Sequence, residues 1–214
     1  MTLQRPRLAV LASGTGTLLE AIIDAGLQVT VVVSDRDCRA LRVAESAGLQ
    51  AELLERDSFG AAFDRDGYSA SLVDLLARYE IGVVAMAGFA TILTGPLFER
   101  FSGRVLNTHP SLLPEFKGWH AVRDALQAGA AVTGATVHVA TELVDEGPIL
   151  AQEEVLVHTG DTESSLHERI KQVERRLYPE TIRAFLEQVG ACQADAGGIP
   201  QQSFVNPRTQ GATP

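Results

Sequence analysis

Cysteine is nearly absent from the chain: Cys38 and Cys192 are the only two in 214 residues, they stand far apart, and they match no metal-ligand spacing. This excludes a disulfide framework and a thiolate metal centre, and it fits a reduced, cytoplasmic protein that needs no metal. Long apolar runs are missing as well. No stretch approaches the roughly 20 residues that span a bilayer, and residues 1–7 lack the hydrophobic run and cleavage site of a signal peptide, so no membrane partner is expected. Basic residues are outnumbered, with 18 Lys and Arg against 27 Asp and Glu, and the net charge of -9 argues against general nucleic-acid binding. Nucleotide-binding motifs are incomplete. The run Ser13-Gly14-Thr15-Gly16-Thr17 lacks the Gly-Lys-Ser/Thr of a P-loop, and Leu19 stands where the dinucleotide pattern needs its third glycine.

What is present alternates between two periodicities. Residues 8–12, 29–33 and 82–87 are apolar runs of strand length, with a weaker candidate at 51–54. Between them, residues 18–25, 40–47 and 63–79 carry helical spacing, and Gly48 is a usual residue just past a helix end. A short helical connection ends at 98–101, and residues 105–107 form the next strand. This order predicts an α/β fold: a doubly wound, mainly parallel sheet with helices on both faces. The second half adds a short helix at 119–128 and strands at 132–139 and 149–157, joined by a tight segment that makes them an antiparallel C-terminal extension. Asp161 or Thr162 caps a long helix whose stripe is Leu166, Ile170, Val173, Leu177, Ile182 and Phe185, with a kink or break expected at Pro179. Residues 1–189 read as a single domain, and residues 190–214, rich in Gly, Gln, Ala and Pro, as a loosely attached polar tail.

In such sheets ligands bind beyond the carboxyl ends of strands, and two polar motifs fall there. In residues 105–114, V-L-N-T-H-P-S-L-L-P, Pro110 keeps His109 extended, so Asn107 and His109 point to the same side. An amide and an imidazole together can donate to a developing oxyanion and exchange a proton near neutral pH. A satisfied polar turn capping a strand explains the same residues. The 13–17 loop joins a strand to a helix, and its glycines, hydroxyls and helix N-terminus suit a phosphate. A plain tight turn is the alternative. If a phosphate binds, it belongs to a small substrate, since no nucleotide motif accompanies it.

With N-T-H-P-S-L-L-P, G-A-T-V-H-V at 134–139 and L-V-D-E-G-P-I-L at 143–150, the chain resembles the folate-dependent formyltransferases from about Leu8 to Leu186. The resemblance is nearest to the members that pass the formyl group of 10-formyltetrahydrofolate, as co-substrate, to glycinamide ribonucleotide in purine synthesis. It implies catalytic roles for Asn107, His109 and Asp145, where local sequence alone would make Asp145 a turn residue. His138 is implied to support the aspartate loop, and Thr136 shares its strand face. Ser13, Gly14, Thr15, Gly16 and Thr17 coincide with the family's phosphate loop, Glu174 with the carboxylate that recognises the glycinamide, and Lys171 lies one turn earlier. The folate slot maps onto Phe89, Ala90, Thr91, Ile92, Leu93, Leu106 and Asn107, the main chain around Thr141 and Val144, and Arg65 toward the glutamate tail. His120, His158 and His167 carry no such context and read as surface or structural.

Three departures are visible. Many relatives have asparagine at Thr15, a Ser-Asn pair at Thr17-Leu18, and arginine at Thr91. The rival readings are a formyltetrahydrofolate hydrolase, a methionyl-tRNA formyltransferase and a sugar-nucleotide formyltransferase, which share the Asn/His/Asp set. A regulatory domain ahead of the catalytic one, or a β-domain behind it, usually marks the first two, and neither is expected here. A non-catalytic binding domain would need none of the three residues. Small-molecule substrates and a monomer or homodimer complete the expectation.

Overall fold

The computed structural model describes residues 5–58, 60 and 62–194. The elements follow in the order β1 (Arg7–Leu11), α1 (Thr17–Asp24), β2 (Val29–Ser34), α2 (Arg39–Ser46), β3 (Gln50–Leu53), α3 (Arg65–Arg78) and β4 (Ile81–Met86). They continue as α4 (Gly95–Arg100), β5 (Val105–His109), α5 (Ala121–Gln127), β6 (Val132–Val139), β7 (Ile149–Leu156) and α6 (Glu163–Ala194). Among the described residues the strands form one seven-stranded sheet in the order β3-β2-β1-β4-β5-β6-β7. The first five are parallel, and β5–β6 and β6–β7 are antiparallel, which is the doubly wound sheet with an antiparallel extension that the sequence predicts.

Strands buried on both faces need apolar side chains at every position. In β1 Leu8 and Val10 face one side and Ala9 and Leu11 the other, and all four are fully buried. The first pair joins Leu19 and Ile22 of α1, Ala40 and Ala44 of α2, and Tyr178, Ile182 and Phe185 of α6. The second pair packs with Leu72, Leu75 and Leu76 of α3 and Leu97 of α4. A third cluster under the extension joins Val122 of α5, Ala135 of β6, and Leu166 and Ile170 of α6.

Two expectations change. No break occurs at Pro179: α6 is continuous through it. Proline removes one backbone donor and crowds the preceding turn, but Tyr178 and Ile182 on either side are fully buried and hold the helix against the sheet. The same helix runs on past Gly190 to Ala194, beyond the expected start of the tail, and residues 195–214 lie outside the described residues. Thr162 rather than Asp161 caps its start, its Oγ1 accepting from Ser165 N at 3.1 Å.

Candidate active site

The strand β5 runs as far as His109, and β6 lies antiparallel beside it with Asn107 opposite His138 and His109 opposite Thr136. Directly opposed residues share a sheet face, so these four side chains form one polar patch where the parallel sheet turns antiparallel. Thr108, between them, faces the other side. Its Oγ1 donates to Glu174 Oε1 of α6 at 2.9 Å.

Each member of the patch is held. His138 is almost fully buried, and burial lowers its pKa against the opposing pull of the Val139 carbonyl and Asp145. The neutral ring matches its partners: Nδ1 donates to the Val139 carbonyl at 3.1 Å and Nε2 accepts from Asn107 Nδ2 at 3.2 Å. That contact orients the Asn107 amide. Thr136 donates to the Ser111 carbonyl at 2.6 Å and accepts from Leu113 N at 3.0 Å, fastening the segment that follows His109.

Asp145 arrives from the loop between β6 and β7. Its φ of 57° lies in the left-handed region, uncommon for a residue with a Cβ but tolerated best by Asp and Asn. Its Oδ2 accepts from Gly118 N at 2.9 Å and lies 3.4 Å from His109 Nδ1. Oδ1 is 3.6 Å from His138 Nε2, too long for a hydrogen bond. The other His109 nitrogen, Nε2, donates to the Phe116 carbonyl at 2.8 Å. Gly147 lets the loop close, since a Cβ there would stand 1.7 Å from the Val139 carbonyl oxygen.

Asn107, His109, His138 and Asp145 line a cavity of about 500 Å³, within the usual range for small-molecule sites, and Thr136 lies behind it. Phe89, Ala90, Thr91, Ile92 and Leu93 form one side with Thr141 and Val144. Gly14, Thr15, Gly16 and Thr17 form another, with Lys171, Glu174 and Arg175 of α6. Gly16 begins α1 at φ 76° and no side chain caps that helix, so its first amides are open to an anion. Glu174 is buried, and desolvation raises its pKa against the opposing effects of Thr108 and Lys171.

Three expected contacts lie elsewhere. Ser13 is not in the cavity lining, and its Oγ accepts from Ala90 N at 2.8 Å. Arg65 opens α3 away from the cavity, its carbonyl accepting from Thr94 Oγ1 at 3.3 Å. Leu106 points to the opposite sheet face and sits fully buried in the core beside α6. Other residues join the lining unannounced by the sequence reading, among them Thr108, Trp119 and His167. His167 could have been found by spacing, since it lies four residues before Lys171 and so shares its helix face.

Residues 6–182 match the formyl transferase family. The chain belongs to that family. This formyl transferase is 45% identical over 183 residues to a phosphoribosylglycinamide formyltransferase of Mycobacterium tuberculosis, an alignment covering 83% of this chain and 84% of that protein. It is 39% identical over 199 residues to the trifunctional purine biosynthetic protein adenosine-3 of Gallus gallus, covering 90% of this chain and 19% of that one. Among solved structures, glycinamide ribonucleotide transformylase 1 from Symbiobacterium toebii superposes with a TM-score of 0.81 at 42% identity, over 87% of this chain and 90% of that chain.

Proposed function

We infer that this enzyme transfers the formyl group of 10-formyltetrahydrofolate to the amine of glycinamide ribonucleotide in purine biosynthesis. The observation that carries the reading is one cavity in which Asn107, His109 and Asp145 meet between an open helix N-terminus and an apolar slot. The helix N-terminus, with Lys171 and Arg175, suits the phosphate of the ribonucleotide. Phe89, Ile92 and Leu93 suit the flat rings of the folate, and Glu174 suits the glycinamide ammonium.

An amine attacking a formyl carbon creates an oxyanion and an ammonium. Asn107, oriented by His138, donates to the oxyanion. His109, protonated, donates to the same oxygen and then gives its proton to the departing folate nitrogen. Because both ring nitrogens already have partners, one contact must open, and the Phe116 carbonyl is the one to leave. Asp145 stays against Nδ1, and its carboxylate takes the ammonium proton directly or through water. Nothing in this sequence requires a covalent intermediate.

The same reading places the enzyme in the cytoplasm, with small molecules as its partners and a monomer or homodimer as its assembly. The test is the absorbance change on deformylation of 10-formyltetrahydrofolate by purified protein, with and without glycinamide ribonucleotide. Turnover that depends on the ribonucleotide is expected. Equal turnover without it would make water the acceptor and overturn the assignment.

A further inference from the structure

Asp35 directly follows β2, is fully buried, and has no part in the chemistry above. A carboxylate survives such burial only where donors replace its water. Arg36 forks onto its two oxygens at 2.9 and 3.0 Å. Thr91 donates its hydroxyl to Oδ2 at 2.7 Å, and the Ser13 hydroxyl also hydrogen-bonds the group. Burial raises the carboxyl's pKa, but these donors outweigh it and hold the group below the ordinary range, so it is charged near neutral pH.

Two of these partners, Thr91 and Ser13, belong to segments on the two sides of the cavity. Thr91 belongs to the apolar side, and Ser13 leads into the 14–17 loop on the other. Ser13 stitches the two together, its N–H donating to the Gly88 carbonyl at 3.1 Å and its Oγ accepting from Ala90 N. Asp35 itself does not line the cavity.

We propose that Asp35 is a positioning residue that fixes the phosphate loop and the folate slot against each other, and so governs affinity for both substrates while touching neither. The proposal rests on the functional reading given above. An isosteric Asp35→Asn change keeps the volume but removes the charge and replaces one acceptor with a donor that faces donors. Both sides then loosen together.

Calorimetric titration of each protein with glycinamide ribonucleotide alone, and separately with tetrahydrofolate, tests this. The wild type should bind both ligands; failure to bind either would refute the functional reading itself. Asp35→Asn should weaken both dissociation constants by at least about fivefold, with kcat at saturation changed less than either KM. Weakening of one ligand alone, or a lowered melting temperature with both affinities intact, would overturn the positioning role and leave the functional reading standing. If Asp35→Asn does not fold, Ser13→Ala and Thr91→Val decide. Ser13→Ala should weaken both ligands and Thr91→Val the folate alone, and any other pattern would overturn the proposal.

Discussion

Replacing Asp145 by Asn separates charge from shape. Asparagine tolerates the left-handed φ of 57° nearly as well as aspartate, and its carbonyl oxygen can still accept from Gly118 N. The fold and the cavity are therefore expected to persist, with a melting temperature within about 2 °C of the parent. What disappears is the negative charge 3.4 Å from His109 Nδ1, in a place where both side chains are nearly inaccessible to water. At an effective dielectric of about 20, unit charges at that separation interact by about 5 kcal/mol. Desolvation of the pair offsets part of this. A loss of about 3–4 kcal/mol in transition-state stabilisation remains, which corresponds to a fall in kcat of about 10²–10³. The same change removes the acceptor for the ammonium proton, so that figure is a lower bound. Initial rates of folate deformylation with saturating ribonucleotide measure kcat, and the KM values should move by less than about threefold because Asp145 acts after binding. A variant whose kcat stays within tenfold of the parent would refute both roles.

Glu174→Gln should raise the KM for glycinamide ribonucleotide about 10–100-fold, the effect of losing a hydrogen bond between charged groups, with the KM for the folate unchanged. It should also stabilise the free protein at neutral pH. Burial raises the Glu174 pKa above the ordinary value of 4.5, so the native state holds that proton to higher pH than the unfolded chain does. Stability is then greatest below 4.5 and falls as pH rises through the raised value; melting curves of parent and variant should converge in acid and separate toward pH 7. Gly147→Ala forces a Cβ into the Val139 carbonyl and must push the Asp145 loop outward. Steady-state kinetics should show a fall in kcat of at least about tenfold, while far-ultraviolet circular dichroism stays native.

The strands were legible because burial on both faces leaves continuous runs such as Leu8, Ala9, Val10 and Leu11, a pattern that local sequence carries by itself. Asn107 and His109 were legible for a related reason: alternation along β5 places them together, and Pro110 keeps that strand extended. Pro179 does not break the helix, because proline's local preference is outweighed by long-range burial of Tyr178 and Ile182, whose partners lie in distant strands. Ser13, Arg65 and Leu106 lie in elements placed as expected, yet their directions depend on contacts across the fold that spacing does not encode. Leu106 is the clearest case. The alternation that turns Asn107 toward the cavity necessarily turns Leu106 to the α6 side. The Asp35 cluster was not legible at all, since its donors come from residues 13, 36 and 91 and meet only when β1, β2 and β4 lie side by side.

The position of the site follows from the sheet order. Because β1, β4 and β5 are parallel and adjacent, their carboxyl ends present the 13–17 loop, the 87–93 segment and the Asn107–His109 pair along one edge. A sixth parallel strand would have continued that pattern with another apolar run. The antiparallel β6 instead sets His138 and Thr136 against Asn107 and His109, and the loop that leaves it returns Asp145 to the same edge. Alternation within β5 then divides the labour between faces. Asn107 and His109 look toward His138 and Asp145, and Thr108 looks back to Glu174 on α6, so in the proposed mechanism recognition of the acceptor and chemistry on the donor are coupled through three consecutive residues of one strand. A one-residue slip of β5 against β4 would exchange these faces, which ties the geometry of the candidate site to the register that pairs Val84 with Val105.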